Sequence, residues 1–226
     1  MSRGLFITGT GTGVGKTYVA ALIARSLAAS GRRVGVYKPL ASGCELVDGK
    51  LVSPDAVALW EAAGRPGTLD DVCPQKFTAP LAPHLAAEAE DKWIDGELLR
   101  AGLDFWRQAS DVVLVEGAGG LMSPLEDPSY NADLAAEFGY PLVVVTANEL
   151  GTINATLQTL ITASVYGGGL NVAGLVLNSP TPVADDPSRH TNRNELVRRC
   201  EAPLLAEVDY RGDLNRDVDW WTLAAV

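Results

Sequence analysis

The segment Gly9-Thr10-Gly11-Thr12-Gly13-Val14-Gly15-Lys16-Thr17 constrains this chain more than any other. It follows a short apolar run, Gly4 to Thr8, and precedes Val19, Leu22, Ile23 and Leu27, which recur at helical spacing until Gly31. Strand, glycine-rich turn and helix in that order make a cradle for phosphate. The glycines let backbone N–H groups of residues such as Gly13, Val14 and Gly15 turn inward, and the helix adds its positive dipole end. Lys16 can then reach the β- and γ-phosphates, and the Thr17 hydroxyl can ligate Mg²⁺. At average residue frequencies Gly-Lys-Thr alone arises by chance in roughly one chain of this length in ten. Requiring the other glycines and the strand-then-helix placement lowers that to about one in a hundred or less, so the segment is a signal. Gly9 and Gly15 enclose five residues rather than the common four, and position 11 is glycine. The additional lysine of partitioning ATPases, five residues before Lys16, is therefore missing.

Beyond this loop, short apolar runs alternate with helical patterns, which predicts βαβ units and a parallel sheet. Strands are expected at Arg33 to Tyr37, Asp111 to Val115, Pro141 to Ala147, Val172 to Leu177 and Pro203 to Val208. Helices are expected at Asp55 to Ala63, Ile94 to Gln108, Asn131 to Phe138, Gly151 to Val165 and Glu195 to Cys200. The proline-rich stretch with Pro74, Pro80 and Pro83 and the polar segment Ser179 to Thr191 read as loops. No repeat or linker interrupts the pattern. The expectation is an α/β fold: one P-loop NTPase-like domain over residues 1–226, doubly wound, with a mostly parallel sheet and helices on both faces.

Composition narrows the function. With 226 residues, 47% hydrophobic and 20% charged, the chain can bury a core. A net charge of −10 argues against nucleic acid as a partner, because neutralising a phosphate backbone takes a basic face. The apolar run Leu5-Phe6-Ile7 is too short for a signal peptide or membrane span, so no membrane role is expected. Cys44, Cys73 and Cys200 lack metal-ligand spacing and read as reduced thiols in a cytoplasmic protein.

Other residues fall where ligands bind in open α/β sheets, after the carboxyl ends of strands. Lys38 ends the second strand, either as an exposed lysine with its stem on the sheet or as a ligand group, and Ser42-Gly43 could carry a hydroxyl into the same crevice. Glu116 ends a buried strand before Gly117-Ala118-Gly119-Gly120. A carboxylate beside a phosphate loop suits a metal ion, and glycines such as Gly119 permit close backbone approach. Asp55 opens a helix, as a metal-site acid or simply as an N-terminal charge. Leu150-Gly151-Thr152-Ile153-Asn154 leads into another helix, whose free N–H groups could hold a carboxylate; ordinary capping by Thr152 is the plainer alternative.

Together these segments resemble the dethiobiotin synthetase family. The resemblance rests on the phosphate loop, Tyr37-Lys38-Pro39 with Ser42-Gly43, Asp55-Ala56 and Pro80-Leu81-Ala82-Pro83-His84. It continues through Val115-Glu116-Gly117-Ala118-Gly119-Gly120, Leu150 to Asn154 and Gly174-Leu175-Val176-Leu177-Asn178. Ala202-Pro203-Leu204-Leu205 looks like the family's late nucleotide loop. Beyond Val208 the likeness fades, and Trp220-Trp221 reads as a tail packed on the core.

The resemblance implies ATP-dependent carboxylation and ring closure of 7,8-diaminopelargonate with CO₂. The steps run through a carbamate and a carbamic–phosphoric anhydride, and yield dethiobiotin, ADP and phosphate. It implies Mg²⁺ on Thr17, Asp55 and Glu116, and anion stabilisation by Lys16 and Lys38. Thr12 and Ser42 would hold the diamine or carbamate, with Gly119 beside them. Asn178 would read adenine, with Pro203 and Leu204 in the late nucleotide loop. The protein is expected to be a homodimer with a shared active site, in which Leu150, Gly151, Thr152 and Asn154 of one chain receive the substrate's far carboxylate in the other. Two rivals differ in class: a partitioning or signalling ATPase, and an amide ligase for corrinoid acids. The missing additional lysine weighs against the first. The lack of a glutamine-hydrolysing Cys/His arrangement weighs against the second.

Overall fold

The structure, a computed structural model, describes residues 3–182 and 186–225. Its centre is a sheet of six parallel strands. In chain order these are β1 (Arg3–Gly9), β2 (Val34–Tyr37), β3 (Val112–Glu116), β4 (Leu142–Ala147), β5 (Val172–Asn178) and β6 (Leu204–Val208). The helices of eight or more residues are α1 (Lys16–Ala29), α2 (Pro54–Ala62), α3 (Gly96–Ala109), α4 (Asn131–Phe138), α5 (Thr152–Val165) and α6 (Asn192–Arg199).

The order across the sheet is β6-β5-β4-β1-β3-β2. From β1 the chain runs to one edge at β2, returns through β3, then steps outward on the other side through β4, β5 and β6. The winding reverses beside β1, and a crevice at the carboxyl ends of the strands is the geometric consequence. Register places Ile7 against Glu116 and Gly9 against Val145, so the phosphate loop and Glu116 leave the sheet side by side.

Every residue of β3 and of β4 is buried, which requires cover on both faces of the sheet. Phe6, Ile23, Leu103, Trp106 and Val144 are at most 1% exposed. Each such side chain contributes about 1.5–3 kcal/mol of transfer free energy against the ordering cost of the chain. α1 ends in a Schellman arrangement: Gly31 takes a left-handed φ of 81°, its N–H donates to Ala28 O, and Arg32 N–H donates to Leu27 O.

The expected main elements appear with ends shifted by one or two residues, apart from α6, which begins three residues before the expected Glu195. The stretches read as loops hold more structure. Leu40–Ala41 pairs in parallel with Gln75–Lys76, and short helices cover Leu69–Val72 and Pro83–Glu88. A hairpin joins Glu45–Val47 to Lys50–Val52 through Asp48 and Gly49, both at positive φ. Within Ser179 to Thr191, Pro187–His190 forms a 3₁₀ turn, while 183–185, like Met1 and Ser2, lie outside the described residues. Trp220 is buried, and the guanidinium groups of Arg3 and Arg32 lie over the Trp221 ring, 4.5 and 3.8 Å from its centroid. Gly4 N–H donates to Ala224 O at 3.0 Å, so the C-terminal segment does pack on the sheet, at its amino end. Among the described residues no helix is long and apolar enough to cross a membrane.

Candidate active site

Gly15 is the hinge on which the phosphate loop turns into α1. It precedes the helix at φ 89°, and a Cβ there would sit 2.1 Å from Asn178 Nδ2. No side chain fits, so the sequence has glycine. Asn178, 2% exposed at the end of β5, donates from Nδ2 to Val14 O at 2.8 Å and ties the loop to the sheet. Lys16 Nζ donates to Gly11 O at 3.1 Å. Burial lowers the Lys16 pKa, and Glu116 opposes that shift.

Glu116 organises the charged floor. It is 1% exposed, and its Oε1 accepts from Thr17 Oγ1 at 2.8 Å and from Lys38 Nζ at 2.7 Å. Lys38 also meets Asp55 Oδ2 at 3.0 Å. Burial by itself would lower the Lys38 pKa, but Glu116 and Asp55 together raise it above the usual lysine value. For Asp55, desolvation pushes upward and is outweighed by Lys38 and Thr17, so its carboxyl ends below the usual carboxylate range. Lys38 is thus no exposed lysine: it is 3% exposed and ion-paired. Asp55 does sit in the first turn of α2, but Ser53 caps that helix, accepting from Ala56 N–H at 3.2 Å, and Asp55 faces the cleft.

A cleft of about 460 Å³ gathers Thr12, Gly13, Gly15, Lys16, Thr17, Lys38, Ser42, Asp55, Glu116 and Gly119. A second cavity of about 410 Å³ lies beside it, lined by Thr10, Thr12, Gly120, Met122, Gln158 and Thr162 among others. Thr12 borders both.

Glu116 Oε2 is buried and has no hydrogen-bond partner. With Thr17 Oγ1 and the Asp55 carboxylate it forms a set of hard oxygen donors, the kind that suits Mg²⁺ with phosphates and water completing the shell. Among the described residues no cluster of three His, Cys, Asp or Glu side chains could hold a metal alone. The set here is two carboxylates and a hydroxyl.

Several expected site residues are not brought to the cleft. Leu150 is 83% exposed, Gly151 and Asn154 are also exposed, and none of them lines either cavity. Thr152 does not cap α5; the cap is Gly151 with a left-handed φ of 102°. The Thr152 hydroxyl turns inward to Thr146 Oγ1 at 2.6 Å, and its N–H donates to Glu149 O at 3.2 Å. Pro203 and Leu204 require correction. They precede and begin β6, at the amino end of the sheet, where Pro203 O accepts from Leu175 N–H and Pro203 lines a separate cavity. The segment after β6 is the one that approaches the phosphate loop, since Tyr18 Oη donates to Gly212 O at 2.9 Å.

Asn131 went unread in the sequence. It is 1% exposed at the start of α4, accepts from Ala118 N–H at 3.2 Å, and donates to Ala118 O and, at 3.0 Å, to Gly120 O. Ser123 Oγ accepts from Gly120 N–H at 2.8 Å. These contacts hold the Gly117 to Gly120 turn in shape. An Asn opening a helix a dozen residues past a glycine run was the available signal.

A phosphate loop at the winding reversal, with a buried strand-end acid and paired lysine behind it, defines a P-loop nucleotide-binding enzyme. Solved structures agree on the fold. A ParA family ATPase from Chlorobium tepidum TLS matches with TM-score 0.58 and 17% identity over 99% of this chain and 89% of that one. The cell division ATPase MinD of Pyrococcus furiosus gives 0.52 and 22% over 92% and 83%. A family model described as "AAA domain" matches residues 3–218. The sequence relatives are narrower in kind. "ATP-dependent dethiobiotin synthetase BioD" of Rhodopirellula baltica is 44% identical over 90% of this chain and 82% of its own length. "ATP-dependent dethiobiotin synthetase BioD 1" of Escherichia coli K12 is 37% identical over 93% and 92%. The chain belongs to the ATP-dependent dethiobiotin synthetase family.

Proposed function

We propose that this chain is an ATP-dependent ligase that makes dethiobiotin for biotin biosynthesis, closing 7,8-diaminopelargonate with CO₂. The observation that carries the reading is the convergence of Lys16, Lys38, Thr17, Asp55 and Glu116 on one cleft, with Thr12 shared by the cavity next to it. The triphosphate takes the first space and the diamine the second, so their reacting ends meet at Thr12. Asn178 keeps its Oδ1 and one N–H for adenine after bonding Val14. Mg²⁺, when bound by Thr17, Asp55 and Glu116, would supply charge neutralisation for the transferring phosphoryl group.

The chemistry proceeds in three balanced steps. One amine of the diamine adds to CO₂ and loses a proton, giving a carbamate. A carbamate oxygen attacks the γ-phosphorus and ADP leaves, giving the carbamic–phosphoric anhydride. The second amine attacks the carbamoyl carbon, closes the cyclic urea and expels phosphate. In the second step an anion approaches an anion, and Lys16 and Lys38 offset that repulsion. Thr12 and Ser42 orient the diamine, with Gly119 allowing close approach. Holding both amines at one carbon makes ring closure intramolecular, which is worth several kcal/mol, on the order of 7 or more at best. The exposed Leu150-Gly151-Asn154 turn serves the partner's site in a homodimer, where its helix N-terminus receives the far carboxylate.

The deciding assay is dethiobiotin formed from the diamine, bicarbonate and ATP. Product should appear only when all three are supplied, and ATP turnover without the diamine should be negligible. Rapid ATP hydrolysis without the diamine, and no product, would favour the partitioning ATPase instead.

A further inference from the structure

The ammonium of Lys38 rests on the same carboxylates that the proposed function gives to the metal ion. Its side chain is 4% exposed and meets Glu116 at 2.7 Å and Asp55 at 3.0 Å. Glu116 Oε1 already takes donors from both Thr17 and Lys38, while Oε2 takes none. A buried carboxylate without compensation is costly, and the Lys38 ammonium is the counter-charge against which the buried Glu116 side chain rests.

We infer that Lys38 is an internal counter-cation that closes the carboxylate pair to divalent ions until nucleotide arrives. The inference rests on the metal reading above and adds a coupling to it. A bare divalent ion entering beside Lys38 would put three positive charges against two carboxylates, that of Glu116 buried and that of Asp55 half-exposed at the cleft. A triphosphate brings the negative charge that restores balance. It also gives the ammonium somewhere to go, since both lysines line the same cleft as the phosphate loop. Lys38 therefore leaves Glu116 and Asp55 in the same event that delivers metal and nucleotide, and only then is it free to meet the reacting anions. The nucleotide-free protein is a poor divalent-ion binder by construction, and its strongest cation is held back until there is something to stabilise.

Mn²⁺ binding followed by the EPR signal of the free ion tests this without any turnover. In the absence of nucleotide, Lys38→Met should bind Mn²⁺ at least about tenfold more tightly than wild type, because the competing charge is gone. The double variant Lys38→Met with Glu116→Gln should lose that gain. Lys38→Gln, which keeps a hydrogen-bond donor for Glu116, should behave like Lys38→Met and serves if the methionine variant does not fold. Mn²⁺ affinity in the folded Lys38 variants equal to or weaker than wild type overturns the exchange. A parallel titration of wild type and Glu116→Gln with a non-hydrolysable ATP analogue isolates the underlying reading. Glu116-dependent Mn²⁺ binding there, without any gain in the Lys38 variants, sinks the exchange alone. No Glu116 dependence there sinks the metal site and the exchange with it.

Discussion

Glu116 holds Thr17 and Lys38 through one oxygen, so each residue around it acts on its neighbours' charge as well as on ligands. Lys16 is the cleaner target, because its nitrogen bonds to a loop carbonyl, Gly11 O, rather than to the acids of the cluster. Lys16→Ala should leave the fold intact and remove a phosphate contact, costing on the order of 3 kcal/mol or about a hundredfold or more in kcat/KM. Near-normal turnover in a folded variant would remove Lys16 from the chemistry. The Lys38–Asp55 pair predicts a pH window for stability. Asp55 titrates below its usual 3.8 when folded, so its contribution is complete above that value and is lost as acid carries the pH down through the lower one. Lys38 is raised above 10.5, so its contribution is complete below that value and is lost only in stronger alkali. The Tm gap between wild type and Asp55→Asn should therefore be flat from about pH 5 to 8 and shrink below about pH 4. A gap that persists undiminished at pH 3 would contradict the pairing. The sequence displayed the residues of this cluster one by one, since each follows a strand or opens a helix. It could not display that Lys38 is buried, because a lysine's burial depends on what three distant segments place around it.

The glycine turn after β3 shows what is added at the level of elements. Its shape is imposed from α4, by an asparagine whose two amide ends grip Ala118 and Gly120. Asn131→Ala should remove hydrogen bonds from part-buried backbone groups, at about 0.5–1.5 kcal/mol each, lowering Tm and reducing kcat/KM together. Unchanged Tm and unchanged KM for ATP would show the turn to be self-supporting. The strands and longer helices were legible because a buried parallel strand is a run of Val, Leu and Ile, and a covering helix repeats its apolar residues every three or four positions. The hairpin at Asp48-Gly49 was legible too and was passed over, though that dipeptide favours two positive φ values in succession. The parallel pair Leu40–Ala41 with Gln75–Lys76 was not legible: strands of two residues carry no period, and its register comes from the Ala41 and Phe77 contacts that flank it. Pro203 and Leu204 failed for a related reason. An apolar run names a strand, but ligands gather after such a strand and not at its start.

For the molecule as a whole, the exposed turn from Leu150 to Asn154, which lines neither cavity, is where the proposed homodimer can be tested. Lys38→Met should block chemistry, and a bulky residue at Asn154 should block substrate binding, so each homodimer should be inactive. Random exchange of the two makes half of the dimers mixed, each with one intact site, and activity should return to about one quarter of wild type. No recovery after verified exchange would place both residues in one chain's site. The far end of the sheet has its own consequence. There Gly4 is bonded to Ala224, and Trp221 lies under the guanidinium groups of Arg3 and Arg32, at the end of the sheet away from the cleft. The two ends of the described chain are thus neighbours, and the connectivity through them is not what shapes the cleft. Joining them by a short flexible linker and reopening the backbone at the exposed Asp48-Gly49 tip should give a circular permutant that still folds and keeps the activity of the unpermuted chain in the dethiobiotin assay.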